Sequence, residues 1–229
     1  MLYIFDYDGV LRSLSFEGVY QGYRAIVRQI LEKNPEDFWA DIEEFKEWFD
    51  VFWPNNLKRL GIGFNEKLDD IFREQYARHT HIFPWADAIL KVISRNNQLS
   101  ICSTAPSSKI RQEMGKLAEF FSLIVGANDV KNIKPDPEGI HIILEQTGCP
   151  PENAIIIGDA ETDILAGKAA GIQTGAVNWG LSYWRDDEWE KIITLKPDYI
   201  FSCARDLIFV KRYASIKEDD QLVLADEEP

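Results

Sequence analysis

Cysteine is scarce in this sequence: three residues in 229, at positions 102, 149 and 203, with no C-x-x-C pair. An odd, scattered set gives no disulfide framework and points to three unpaired thiols in a reducing compartment. Long apolar runs are missing too. No stretch approaches the roughly 20 residues that would cross a bilayer, and Asp6 interrupts the N-terminus before it could read as a secretory leader. A cytoplasmic protein with no membrane partner is the expectation. Basic residues are in deficit, with 25 Lys and Arg against 38 Asp and Glu and a formal charge of −13. That balance disfavours nucleic acid or an anionic membrane as the main partner, yet leaves room for a local basic pocket holding a small anion.

What is present is a chain long enough for a sizeable core, 45% apolar and 12% aromatic. Residues 1–9, MLYIFDYDG, read as a buried strand ending in a Gly turn. From Glu17 to His79 the apolar spacing is helical in EGVYQGYRAIVRQILEK, PEDFWADIEEFKEWFDVF and NEKLDDIFREQYARH. PNNLKRLGIGF, rich in Gly and Asn, reads as a loop between helices. After Pro84 helices alternate with short apolar runs. WADAILKVISRN, SSKIRQEMGKLAEFF, a segment from Asp136 and TDILAGKAAG read as helices; QLSICST, SLIVGAN, NAIIIGD, QTGAV and DYIF read as strands. Such alternation predicts an α/β fold, a doubly wound parallel sheet with a helical insertion after its first strand. Residues 1–12 and 83–229 then form the α/β core and 13–82 the helical part, with the acidic end, 217–229, expected to fray.

In an open parallel sheet, ligands bind beyond the carboxyl ends of the strands. The first strand delivers Asp6 and Asp8, QLSICST delivers Ser103 and Thr104, the run IKPDPEG carries Lys134, and NAIIIGD delivers Asp159 with Asp163 one turn on. Two unit charges ~4 Å apart repel by roughly 4 kcal/mol at an effective dielectric near 20, so this many carboxylates need protons or a cation among them. Oxygen ligands with no Cys or His nearby in sequence point to Mg²⁺. A phosphoryl group can approach such a site through a metal and a Lys. Asp6 can attack phosphorus. Asp8 can protonate the leaving oxygen and then activate water. Ser103 or Thr104 can bond a transferring oxygen, Lys134 can balance charge, and Asp159 would hold the metal with Asp163 as a further or outer ligand.

Taken in order, DYDGVL, STAP, KPDPEG and GDAETD resemble the four motifs of the haloacid dehalogenase superfamily across nearly the whole chain. Residues 13–82 look like the family's C1-type helical cap, and AGIQTGAVNWG with KPDYIFSCARDL is similar to the phosphoglycolate phosphatase-like branch. The resemblance implies Mg²⁺-dependent hydrolysis of a small phosphorylated metabolite. It implies Asp6 as nucleophile, Asp8 as acid/base, Ser103 as the hydroxyl, Lys134 as the ammonium, and Asp6, Asp8 (through its carbonyl) and Asp159 as metal ligands. An acid at position 8, absent from true dehalogenases of the family, argues for phosphoryl transfer. Two departures bear on the substrate: RSLSF follows the first motif in place of a polar Asp-Ser or Asp-Thr pair, and Thr104 stands where the hydroxyl motif usually continues with Asn.

Other features have simpler roles. The aromatics Phe38, Trp39, Phe45, Trp48, Phe49, Phe52 and Trp53 read as helix packing before they read as a substrate pocket. His79 and His81 read as surface, Gly171 as a helix C-cap, Asp136-Pro137 as a helix start, and DDEWE at 186–190 as a solvated helix face. A phosphomutase of the same fold is the alternative enzyme, and a non-catalytic binding protein the alternative from another class. A monomer or a homodimer fits the sequence.

Overall fold

The strands are short, mostly apolar and mostly buried, as strands covered by helices must be, with Ile200 on the sheet's edge the main exception. The structure, a computed structural model, describes residues 1–50, 52–179 and 187–210. Its strands are β1 (Leu2–Phe5), β2 (Gln98–Cys102), β3 (Leu123–Val125), β4 (Ala154–Gly158), β5 (Gln173–Val177) and β6 (Tyr199–Phe201). They pair in parallel in one sheet of order β3-β2-β1-β4-β5-β6. The chain adds β2 and β3 on one side of β1, then returns to add β4, β5 and β6 on the other, so the order reverses at β1. Register fixes what meets there. Phe5 stands opposite Ile101 of β2 and Ile157 of β4. The residues just past the three strands, Asp6, Ser103 and Asp159, therefore leave the sheet at one edge.

Alternation along β1 divides the core. Tyr3 and Phe5 pack with α5 (Ala86–Ile93) and α6 (Ser107–Met114), while Leu2 and Ile4 pack with α7 (Glu138–Thr147) and α8 (Glu161–Ala169). Each fully buried isoleucine of β4 contributes about 1.5–3 kcal/mol of hydrophobic free energy. A further helix, α9 (Asp187–Thr194), lies between β5 and β6 in the chain. The acidic run at 186–190 falls partly, and the tail at 217–229 wholly, outside the described residues.

Between β1 and residue 82 the chain is helical: α1 (Phe16–Gln29), α2 (Ile42–Trp48), α3 (Trp53–Leu60) and α4 (Glu66–Tyr76). These helices enclose an apolar core of their own, in which Tyr23, Ile26, Trp39, Phe45 and Leu68 are buried. The helix starts are local. Ser15 accepts the Gly18 N–H ahead of α1, and Asn65 accepts the Leu68 N–H ahead of α4.

Three elements differ from the sequence reading. The helix expected at 35–52 is broken into a 3₁₀ turn at Pro35–Asp37 and the separate helix α2, because the Asp41 carboxylate caps the Glu43 and Glu44 N–H groups and starts the chain afresh. The loop expected at 54–64 contains α3. Pro54 lies in the first turn, where a missing N–H costs nothing, Leu57 and Leu60 face the core, and Gly61 closes the helix at φ 72°. Its asparagines do not form a loop but tie the helix down: Asn55 donates to the Asp50 carboxylate and Asn56 to the Asp50 carbonyl. The helix expected over 107–121 stops at Met114, where Gly115 turns to φ 53° and leads into a 3₁₀ turn at Gly115–Phe120.

Candidate active site

Gly9 sets the closeness of the first and fourth strand ends. Its φ is 88°, and a Cβ there would lie 1.9 Å from Asp159 Oδ2, so only glycine lets the turn after β1 pass against that carboxylate. Asp159, Asp6 and Asp163 each offer a carboxylate oxygen within 4.8 Å of the others, and all three residues are buried. Lys134 reaches in from the loop before α7. Its Nζ lies 2.5 Å from Asp163 Oδ1 and 2.9 Å from Asp6 Oδ1, and donates to the Cys102 carbonyl at 2.8 Å. The second Asp163 oxygen accepts the Ala160 N–H, fixing the carboxylate at the start of α8.

Three carboxylates around one ammonium leave an excess of two negative charges when all are ionised. Burial alone would lower the Lys134 ammonium, but Asp163 and Asp6 beside it outweigh burial and keep it charged. Burial, with Asp6 and Asp163 adding to it, pushes the Asp159 carboxyl well above the usual carboxylate range. Asp6 Oδ1 is buried and, although close to Lys134, makes no hydrogen bond. A hard, oxygen-only donor set with surplus negative charge fits Mg²⁺.

Ser103 is buried next to Lys134, lines a small cavity with it and accepts the Ala105 N–H at 3.2 Å. Asp8 does not join the three-carboxylate cluster. It faces, together with Thr104, a separate cavity of about 140 Å³ between the sheet edge and the helices. Burial pushes the Asp8 carboxyl up to about 6, against the opposing pull of Arg73 and Arg12.

Sequence reasoning missed the charged frame around Asp8. Arg12, almost fully buried, lies 3.7 Å from Asp8 Oδ1 and donates to Glu113 Oε2 at 2.7 Å; the Tyr7 hydroxyl donates to the same oxygen. Its guanidinium stacks over the Tyr76 ring, 4.8 Å from the centroid. Arg73, on α4, donates through Nε to both oxygens of Asp69 at 3.1 Å. The RS pair after the first motif was the available signal, since Arg12 departs from the expected polar lead. Arg73 gave none, because an arginine on an amphipathic helix reads as solvated face.

Of the aromatics, Trp39, Phe45 and Phe49 are core, as expected, whereas Trp53 also lines the cavity. His79 and His81 are exposed and do not line it; His81 pairs with the Ser13 hydroxyl. Asp136 accepts the Glu138 N–H at the start of α7, and Gly171 follows α8 at φ 70°. The three cysteines are free. No described helix is long and apolar enough to cross a membrane.

The family model of haloacid dehalogenase-like hydrolases matches residues 3–177. The chain is 31% identical over 152 residues, 63% of its length, to pyrophosphatase PpaX of Oceanobacillus iheyensis, and 29% identical over 183 residues, 75% of its length, to phosphoglycolate phosphatase 1 of Pseudomonas aeruginosa. Those matches span 69% and 65% of the relatives' own lengths. A solved haloacid dehalogenase-like hydrolase from Streptococcus pneumoniae superposes with a TM-score of 0.63 at 23% identity, over 90% of this chain and 96% of that one. A haloacid dehalogenase-like protein from Agrobacterium tumefaciens does so with a TM-score of 0.68 at 21% identity, over 93% and 98%. At these identities the superpositions establish the fold.

Proposed function

The chain belongs to the haloacid dehalogenase-like hydrolases, and from that premise we propose that it is a Mg²⁺-dependent phosphatase acting on a small phosphate monoester through an aspartyl-phosphate on Asp6. One observation carries this reading: Asp6, Asp159 and Asp163 converge within 4.8 Å of one another, the Lys134 ammonium pairs with Asp6 and Asp163, and Asp8, two residues from Asp6, lines the neighbouring cavity. An Asp6 oxygen forms the bond to phosphorus as the ester P–O bond breaks. Asp8 gives its proton to the departing alkoxide, then takes one from the water that cleaves the aspartyl-phosphate. Lys134 holds Asp6 and Asp163 in place and offsets charge on the phosphoryl oxygens, with the Ser103 hydroxyl as donor and Thr104 beside it at the cavity wall. Asp6, Asp159, Asp163 and the Asp8 carbonyl would hold Mg²⁺, whose chemistry is to neutralise phosphoryl charge.

In this reading residues 1–12 and 83–229 are the catalytic core and 13–82 a cap over the sheet edge, where a small phosphorylated metabolite enters. The pyrophosphatase and phosphoglycolate phosphatase names of the relatives support phosphoryl transfer to water. Hydrolysis of p-nitrophenyl phosphate with Mg²⁺ tests it, wild type against Asp6→Asn. Phosphate release by the wild type, without any added sugar bisphosphate, and a loss of about a thousandfold or more in the variant are expected. Equal rates would remove Asp6 as nucleophile, and a requirement for sugar bisphosphate would make the protein a mutase.

A further inference from the structure

The cavity beside Asp8 is walled mostly by carbon. Asp8, Asp69, Arg73 and Thr104 line it, and Trp53, Leu57 and Phe72 are among its apolar walls. The charge of Arg73 is answered within the chain: its Nε donates to both Asp69 oxygens, and its buried Nη1 lies 3.7 Å from Glu113 Oε1.

We propose that the substrate's leaving group is an apolar body about the size of a benzene ring, seated against Trp53, Leu57 and Phe72. This rests on the phosphatase reading and names the class of monoester. Size permits it: at about 140 Å³, its charged side included, the open cavity compares with the enclosed apolar volumes, near 150 Å³, that take up benzene in protein interiors. Charge supports it as well. A short carboxylate or a second phosphate would sit against aromatic and aliphatic carbon, leaving that wall unfilled and its own charge poorly solvated. An apolar ring loses water on both sides of the contact and gains free energy in proportion to the area covered.

The test compares 2-phenylethyl phosphate with ethyl phosphate and phosphoglycolate. The two alkyl esters present the same reacting atoms, so a difference between them reports the cavity. Wild-type kcat/KM is expected to be at least about tenfold higher for the phenylethyl ester than for either of the others. Leu57→Trp, which fills the cavity, and Phe64→Ala, at its 44% exposed rim, are both expected to lower that ratio. Phe64→Ala guards against a filling variant that fails to fold. A wild-type ratio near one, a preference for phosphoglycolate, or a ratio unmoved in both folded variants would overturn the proposal. Calorimetry on Asp6→Asn separates it from the parent reading. Tighter binding of 2-phenylethyl than of ethyl phosphate, with no turnover of any ester by the wild type, would keep the cavity assignment and remove the phosphatase. General turnover with equal binding would do the reverse.

Discussion

Asp8 and Lys134 illustrate two ways of holding charge out of water. Asp8 sits between arginines that its own neighbours in sequence do not announce, apart from Arg12 four residues on. Lys134 is enclosed by Asp6, Asp163 and the end of β2, with almost no exposed surface. Removing one member of a buried ion pair leaves the other uncompensated, at a cost of about 3–5 kcal/mol. Lys134→Met is therefore expected to lose stability on that scale in EDTA, measured by urea unfolding; a loss below about 1 kcal/mol would show that the carboxylates do not depend on it. The side chains foreseen at strand ends were Asp6, Asp8, Ser103, Thr104, Lys134, Asp159 and Asp163; of these, Asp6, Lys134, Asp159 and Asp163 cluster, Ser103 lies beside Lys134, and Asp8 and Thr104 face the neighbouring cavity. They were legible because burying a carboxylate or ammonium at the end of an apolar run is costly and rarely occurs without a function. Asp69, Arg73 and Glu113 were not, since helical charge patterning is the same whether the face meets solvent or another part of the chain.

At the scale of elements, the parallel sheet was readable from runs such as AIIIG and LYIF, which leave no polar face. Strand order was not, because it follows from which helices cover which face. α3 shows the limit most plainly. Gly and Asn in its sequence signal a turn, yet Pro54 begins it, Gly61 ends it and burial of Leu57 and Leu60 holds it. Nothing crowds a Cβ at Gly61, so Gly61→Ala isolates the backbone cost of φ 72° and is expected to destabilise by about 1 kcal/mol in thermal or urea unfolding. The Asn65 cap of α4 is expected to matter by a similar amount, about 1 kcal/mol for Asn65→Ala. No change in that variant would mean that packing of α4 on α1 alone sets the helix start.

For the whole molecule, the helices between β1 and residue 82 have their own core, yet meet the sheet edge through charge. Lys109 on α6 pairs with Asp70 on α4 at 2.5 Å, and Glu113 binds Arg12 while lying 3.7 Å from Arg73. The site therefore lies where two separately packed bodies join. Its surplus of carboxylate charge makes a global prediction. Mg²⁺ binding only to the folded chain adds about 2.7 kcal/mol at a concentration 100-fold above Kd, so millimolar Mg²⁺ is expected to raise Tm relative to EDTA. An unchanged Tm would count against the metal site. The central claim, a phosphoryl group carried covalently by Asp6, is tested most directly by quenching turnover with borohydride and mapping the product by mass spectrometry. An acyl phosphate is reduced where a free carboxylate is not, so conversion of Asp6 to homoserine is the expected result. Full turnover with Asp6 unmodified, or reduction at Asp8, Asp159 or Asp163 instead, would contradict it.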